Sequence, residues 1–94
     1  MNQFDVIDVQ GSLGVIVESH LLAPDKTVVA IPLMRDYPPA RLLNPTITVD
    51  GMPYVLATRL IASIPKGLAR PTGENLAPCR DNIIRAIDVM VSGV

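Results

Sequence analysis

Residues 46–58 read TITVDGMPYVLAT and contain the strongest local structural signal in the chain. Two short runs rich in β-branched residues, Thr46–Val49 and residues 52–58, flank Asp50-Gly51. Both central positions of a two-residue hairpin turn favour positive φ angles, which Asp and Gly tolerate. Pro53 follows the turn, where a missing N–H suits an edge strand or the first residues of a strand. The stretch therefore predicts an antiparallel β-hairpin.

Short β-branched runs separated by proline and glycine continue on both sides of this hairpin. Nine prolines, spaced through most of the 94 residues, exclude a helical bundle. The other predicted strands are residues 4–9 and 14–18 around a Gly11-Ser12 turn, residues 27–31 closed by Pro32, and residues 60–64 before Pro65. Residues 66–75, which contain Gly67, Pro71 and Gly73, are predicted to form a loop.

The end of the chain changes to a helical period. Apolar residues recur there at steps of three, four and seven, namely Leu76, Ile83, Ile87, Met90 and Val94. Pro78 suits the first turn of a helix, where its missing N–H costs nothing. Asp81, Arg85 and Asp88 have the spacing of ion pairs on an exposed helix face. The predicted fold class is mainly β (α+β), an antiparallel barrel or sandwich with one C-terminal helix, in a single domain of residues 1–94.

The composition favours a small cytoplasmic protein with an apolar contact surface. Hydrophobic residues make up 49% of the chain and charged residues 18%. A chain this short buries only about 60–65% of its unfolded surface, and the surplus apolar surface favours a homodimer. The net charge of −1 and the scattered basic residues argue against direct nucleic-acid binding. The single Cys, the polar first residues and the lack of a long apolar run favour the cytosol over secretion or a membrane.

No set of side chains in the sequence predicts a catalytic or metal-binding site. Cys79 lies in the predicted first turn of the helix, where the helix dipole favours a thiolate. The single histidine, His20, is far from it in sequence and lies in a predicted loop, so we interpret Cys79 as an inert, half-buried thiol. One His and one Cys are too few for the usual protein metal site. We therefore expect a protein that is not an enzyme and has no cofactor or metal ion.

Two apolar features indicate a contact surface instead. Leu21 and Leu22 are consecutive in a predicted loop, and they either enter the core or contact a partner. Residues 89–94 are largely apolar to the last position, although helices usually end in polar or basic residues. This end either docks on the barrel or binds a partner. The position of Val91 beside the polar helix face favours a partner.

The chain resembles the CcdB family of toxin–antitoxin modules along most of its length. The resemblance depends on the order and spacing of many short stretches, and on a glycine and an aliphatic residue directly after the helix. The matching stretches are residues 1–4, 15–22, 28–33, 42–43, 45–50, 56–58, 62–65 and 80–88.

This resemblance implies both a fold and a function. The implied fold is an SH3-like antiparallel β-barrel with one long C-terminal helix, assembled as a two-fold homodimer with the two helix ends side by side. The implied function is that of a type II toxin that binds the DNA gyrase A subunit and traps the cleaved DNA complex. A CcdA-like antitoxin is expected to reverse this poisoning. The toxin–antitoxin complex is expected to repress its own operon, with DNA contacted only through the antitoxin.

The resemblance also implies the residues that contact these partners. The gyrase-binding positions fall on Leu21, Leu22, Asp88, Val91, Ser92, Gly93 and Val94, and the dimer contacts on Met90 and Val94. The best-known members have Phe and then Trp before the terminal glycine, where this sequence has Val91 and Ser92. Asp88 stands in place of an amide and can accept a charged hydrogen bond from an arginine of the partner.

Two other functions stay open on the sequence alone. An mRNA-cleaving toxin of the MazF/Kid type shares the barrel, and Arg35, Arg41 and Arg59 are available for such chemistry. Nothing in the sequence pairs these arginines with a proton-transfer group, however. The third possibility is a non-toxic CcdB relative that retains only antitoxin binding, which the replacement of the aromatic residue by Ser92 keeps open.

Overall fold

Seven antiparallel strands followed by one helix make up residues 1–19 and 25–93, which are the residues that the computed structural model describes. The strands are β1 (Asp5–Val9), β2 (Ser12–Ile16), β3 (Thr27–Met34), β4 (Thr46–Val49), β5 (Met52–Leu56), β6 (Ala62–Pro65) and β7 (Ala69–Asn75). The helix α1 is Arg80–Ser92, and short 3-10 turns are formed by Thr58–Leu60, Lys66–Leu68 and Ala77–Cys79.

The strands form one sheet that is curved into a half-barrel. Their order is β4-β5-β3-β2-β1-β7, and β6 pairs with β3 beside this path. The first half of β3 pairs with β6, whereas its last two residues pair with β5. The predicted class, an α+β antiparallel barrel with one C-terminal helix, is therefore confirmed.

The hairpin predicted at Asp50-Gly51 is confirmed. Val49 pairs with Met52, so Asp50 and Gly51 are the two residues of the turn. Their φ angles are 50° and 80°, as a two-residue turn with a positive φ at both positions requires. The local preferences of these two residues thus set the register of β4 against β5.

The turn between β1 and β2 lies one residue earlier than the sequence predicted. Val9 pairs with Ser12, so the turn is Gln10-Gly11 rather than Gly11-Ser12. Both turn residues have positive φ angles, 54° and 91°. The Asp8 carboxylate accepts a hydrogen bond from the Gly11 N–H at 2.7 Å. This side-chain contact stabilises the turn in its observed position.

Pro32 does not end β3, contrary to the prediction. The strand continues to Met34, although a proline inside a strand removes a donor from the ladder. Pro32 lies where β3 changes its partner from β6 to β5, and its carbonyl accepts a hydrogen bond from the Ala57 N–H at 2.9 Å. The backbone N–H that Pro32 lacks therefore falls at the junction between the β6 and β5 ladders, on the side of β3 that faces these two strands.

The loop predicted at residues 66–75 is wrong, because most of this segment forms β7. This strand lies at one end of the sheet and is exposed except at Ala69, so no alternation of apolar residues marks it in the sequence. An edge strand tolerates Pro71. The Thr72 hydroxyl donates to the Val6 carbonyl at 2.8 Å and fixes β7 against β1.

The sheet has an apolar core on each face. Neighbouring residues of one strand belong to different cores, as the two-residue side-chain period of a strand requires: Val6 lies in the larger core and Ile7 in the smaller. Helix α1 covers the larger core. The buried residues of the larger core are Phe4, Val6, Val15, Val17, Ile31, Leu33, Ile47, Val49, Leu56, Leu76, Ile83 and Ala86.

The buried face of the helix has the predicted apolar period, and it includes one residue that was not predicted. Ile83 is fully buried and Ile87 and Met90 are half-buried, as the pattern predicts. Ala86 is also fully buried, three residues after Ile83 on the same face. Pro78 lies in the 3-10 turn that directly precedes α1. In the described ranges no helix is both long and apolar enough to cross a membrane.

A buried hydroxyl ties the segment before β4 to the turn after β5. Thr58 is fully buried, and its Oγ1 donates to the Leu43 carbonyl at 2.6 Å. We expect Thr58→Val, which keeps the shape of the side chain and removes the donor, to lower the free energy of unfolding by about 1–2 kcal/mol. Urea denaturation followed by circular dichroism measures the change.

Thr48→Val is the matched control, because Thr48 is exposed on β4. We expect this variant to stay within about 0.5 kcal/mol of the unaltered protein. Equal stabilities of the two variants would show that the buried hydroxyl contributes nothing.

Candidate functional site

The end of α1 forms an exposed apolar tip, defined here as Val91, Ser92 and Gly93. Val91 is 76% exposed, the largest exposed fraction among the large apolar side chains of the described residues. The two fully buried residues of the helix, Ile83 and Ala86, lie at least one turn earlier. The tip therefore projects from the barrel and does not dock on it.

The backbone of the tip closes the helix in a defined way. Gly93 has a φ of 74°, and its N–H donates to the Val89 carbonyl at 2.8 Å, which is a left-handed C-cap. A Cβ on Gly93 would meet nothing within 4 Å, so the backbone angle and not space requires glycine. The Ser92 hydroxyl donates to the Asp88 carbonyl at 2.6 Å. The serine side chain thus folds back on the helix and leaves Val91 as the projecting apolar group.

The charged face of α1 is exposed, as predicted, but the predicted ion pairs of Arg85 with Asp81 and Asp88 are not formed. The ion pair found among the described residues joins Arg80 to Asp81 at 3.7 Å, with both side chains largely exposed. Such exposed pairs contribute little to stability. Arg85 and Asp88 are therefore available to a partner.

Four of the predicted gyrase-binding residues come together at this end of the helix. Asp88, Val91, Ser92 and Gly93 are all exposed. Met90, predicted as a dimer contact, is half-buried. Leu21, Leu22 and Val94 lie outside the described residues, as does His20, so their roles stay predictions.

Cys79 has the surroundings of a structural thiol. It is half-buried, packs against the larger core and lies at the end of the 3-10 turn before α1. In the part of the chain that the structure describes, no group of three or more His, Cys, Asp or Glu side chains could hold a metal ion.

The three arginines considered for RNA cleavage lie on different segments. Arg35 follows β3, and its guanidinium lies 5.8 Å from the centre of the Tyr54 ring. Arg35 and Asp36 line a groove that neither Arg41 nor Arg59 reaches. Arg41 lies in the turn before β4 and Arg59 in the 3-10 turn after β5. Sequence alone offered no pairing for these arginines, and their placement adds none.

A groove that no sequence pattern predicts lies beside the helix, and we call it the helix-side groove. Its volume is about 390 Å³, and it is lined by Leu42, Arg80, Asp81, Ile84, Arg85 and Asp88. Leu42 is 41% exposed and belongs to the segment that precedes β4. Residues 42–43 are one of the stretches that carry the family resemblance, but no pattern in the sequence predicts that Leu42 lies beside α1, because that place depends on the tertiary fold.

Comparison with known proteins identifies a family. A family model described as CcdB protein matches residues 3–93, which include the whole barrel and helix α1 with its tip. No curated protein matches the chain.

Proposed function

The chain belongs to the CcdB family, whose members are toxins of toxin–antitoxin modules, and on this premise we propose that it binds the A subunit of DNA gyrase and traps the enzyme on cleaved DNA. The toxin acts by binding and catalyses no reaction itself. In this proposal the toxin needs no cofactor. Its contact surface is the end of α1 together with Leu21 and Leu22.

The exposed tip is the observation that carries this proposal. A valine that is 76% exposed at the end of a helix leaves apolar area in water, and burial of such a side chain contributes about 1.5–3 kcal/mol. The base of the helix is fixed, because Ile83 is fully buried in the larger core. The tip is therefore an apolar projection on an anchored helix, and it gains free energy by entering a cavity in another protein.

A homodimer doubles this projection. Met90 keeps part of its apolar surface exposed one residue before Val91, which supports a contact between the two helix ends near a two-fold axis. Val94 is proposed to join that contact. Two-fold symmetry then presents two equal tips to the symmetric cavity at the gyrase dimer gate.

Polar groups at and just before the tip orient the complex. The Asp88 side chain is exposed and has no cation partner among the described residues, so an arginine of gyrase can donate a charge-assisted hydrogen bond to it. The Gly93 backbone angle closes the helix directly after Ser92. Binding therefore combines an apolar anchor with one charged contact.

The same dimer is proposed to bind a CcdA-like antitoxin, which reverses the poisoning and forms with it the repressor of their operon. The net charge of the toxin is −1, and phosphate binding needs clustered cations. The antitoxin therefore supplies the DNA contact. Because gyrase, antitoxin and operon lie in the cytoplasm, the toxin acts there.

Expression in two hosts that differ only in the gyrase A subunit tests the target. We expect a DNA-damage response and loss of viability in the host with sensitive gyrase, and growth in the host with the altered subunit. Equal killing in both hosts would contradict the proposal. Incubation of the purified protein with RNA is the companion measurement, and cleavage of that RNA would favour the mRNA-cleaving alternative.

A further inference from the structure

The smaller core leaves a cavity between β1, β2, β3 and β6. Its volume is about 180 Å³, and two of the residues that line it, Ile7 and Ala30, are buried members of that core. Leu60, which also lines it, is 47% exposed, so the cavity opens to solvent at the 3-10 turn after β5. We call it the barrel-mouth cavity, and its lining includes Ile7, Gly14, Ala30, Leu60, Ala62 and Ile64.

The lining of the barrel-mouth cavity is apolar. Among the described residues that line it, none is charged, and Ser12 contributes the only polar side chain. A charged group that entered the cavity would lose its hydration and find no compensating partner. The helix-side groove differs, because arginine and aspartate side chains line it. The barrel-mouth cavity therefore accepts an uncharged, apolar group.

Small residues on three strands create this space. Gly14 lies in β2, Ala30 in β3 and Ala62 in β6, and all three line the cavity. Ala30 and Ala62 are directly paired across the ladder between β3 and β6. Interiors are otherwise close-packed, so the cavity exists because none of these three positions carries a large side chain.

The backbone at Gly14 does not require glycine. Its φ angle is not positive, and β2 pairs in regular register with both neighbouring strands there, so Gly14 forms no bulge. A Cβ on Gly14 would meet the Ile31 carbonyl oxygen at 3.4 Å and the Ala30 Cβ at 3.8 Å, which are ordinary contacts. A glycine inside a strand weakens it, and it often marks a site that a ligand approaches closely. The missing side chain keeps the cavity open.

We propose that the barrel-mouth cavity binds a small, uncharged apolar molecule of about the size of one aromatic ring. An apolar cavity of about 150 Å³ excludes water and binds benzene, and the mouths of β-barrels are frequent ligand sites. The cavity belongs to the smaller core, whereas helix α1 packs on the larger one. This site is therefore separate from the tip, and it does not depend on the proposed function.

Titration of the full-length, methyl-labelled protein with benzene, followed by NMR, tests the site. We expect saturable shifts of the methyl resonances of Ile7 and Ile64, which line the cavity. The methyl resonances of Ile47 and Ile83 in the larger core should not move. Benzoate has the same ring with a carboxylate, and we expect it to cause no saturable shift because its charge would lose hydration in the cavity.

Two variants that reduce the cavity make the test specific. Ala62→Leu adds a larger side chain at an exposed position of the lining, and we expect it to weaken benzene binding about tenfold. Ser63→Leu is the matched control, because Ser63 is the next exposed residue of β6, points to the other face and does not line the cavity. Gly14→Ala narrows the cavity from β2, and we expect weaker benzene binding without a lower melting temperature.

Several results would overturn the proposal. These are an absence of saturable shifts, equal shifts in the larger core, equal binding of benzoate, and unchanged benzene affinity in both Ala62→Leu and Gly14→Ala. Analytical ultracentrifugation of the same variants distinguishes a protein occupant. If Ala62→Leu changes the oligomeric state and Ser63→Leu does not, the cavity receives a side chain of a second copy and is not a small-molecule site.

Discussion

Deletion of Ser92, Gly93 and Val94 is expected to abolish toxicity and to leave the barrel folded. The deletion removes three of the seven predicted gyrase-binding residues, among them the Gly93 cap that closes the helix behind Val91, and we expect gyrase affinity to fall about 100-fold or more. The buried helix residues Ile83 and Ala86 are untouched. Growth of cells that express the shortened protein measures toxicity, and thermal denaturation of the purified protein measures folding.

The deletion also removes hydrogen bonds at the end of the helix. Among them are those donated by the Ser92 hydroxyl to the Asp88 carbonyl and by the Gly93 N–H to the Val89 carbonyl. Because they lie at an exposed terminus, we expect their loss to lower the free energy of unfolding by only about 1 kcal/mol. Thr48→Val is the control, because Thr48 is exposed on β4 and the substitution leaves the helix intact. A shortened protein that still kills cells would contradict the role given to the tip, and loss of toxicity in Thr48→Val as well would show that killing does not depend on the tip.

Elements whose residues carry their own conformational preference could be predicted from the sequence. Asp50 and Gly51 both tolerate a positive φ, so the turn and its register follow from these two residues. Helix α1 follows from the spacing of Ile83, Ile87 and Met90, since burial of one helix face requires that period. Ala86 escaped the pattern because a small side chain gives a weak apolar signal, although it is fully buried.

Strand β7 could not be predicted, because it is defined by a distant partner. Its contact between Thr72 and Val6 joins residues that are 66 positions apart. Its exposed side chains show no alternation, and Pro71 and Gly73 are typical of loops. Pro32 misled the prediction for a similar reason. The position at which β3 changes partner, where a proline is tolerated, is a property of the sheet and not of the local sequence.

The tip could be predicted from the sequence, whereas the groove beside it could not. An apolar helix end is visible in residues 89–94, and the structure leaves Val91 exposed. The gyrase contacts predicted for these residues follow from the family resemblance and not from their chemistry. Leu42, which lines the groove, has a left-handed backbone conformation with a φ of 67°, and this opposes the preference of leucine. It depends on the backbone hydrogen bonds between Ala40 and Asn44 and on the buried Thr58, which lies more than a dozen residues later.

The structure also shows what the missing aromatic pair changes at the tip. Ser92 occupies the position of the family tryptophan, and its hydroxyl is used within the helix. Val91 occupies the position of the phenylalanine and is the projecting apolar group that remains in the described part of the tip. Valine fills less of a partner cavity than an aromatic ring, because aromatic side chains bury far more area. The gyrase complex of this chain is therefore expected to be weaker than that of a member with both aromatic residues.

Restoring the aromatic pair should reverse that weakness. We expect the double variant Val91→Phe and Ser92→Trp to bind the gyrase A subunit about 30- to 1,000-fold more tightly, since a buried tryptophan anchor contributes about 2–4 kcal/mol. The gain should appear mainly as slower dissociation, which surface plasmon resonance measures. Both positions are exposed, so the new rings displace no core residue.

Leu68→Trp is the matched control, because it adds an exposed aromatic ring on the 3-10 turn before β7 and not on helix α1. If the gain came from non-specific hydrophobic binding, Leu68→Trp would also bind gyrase more tightly. If the tip enters a cavity, only the double variant gains affinity. If the double variant binds no better than the unaltered protein, the tip does not enter a cavity of the kind proposed. The exposed Val91 must then contact a different partner, because burial in a gyrase cavity would have increased the affinity of the variant with the larger side chains.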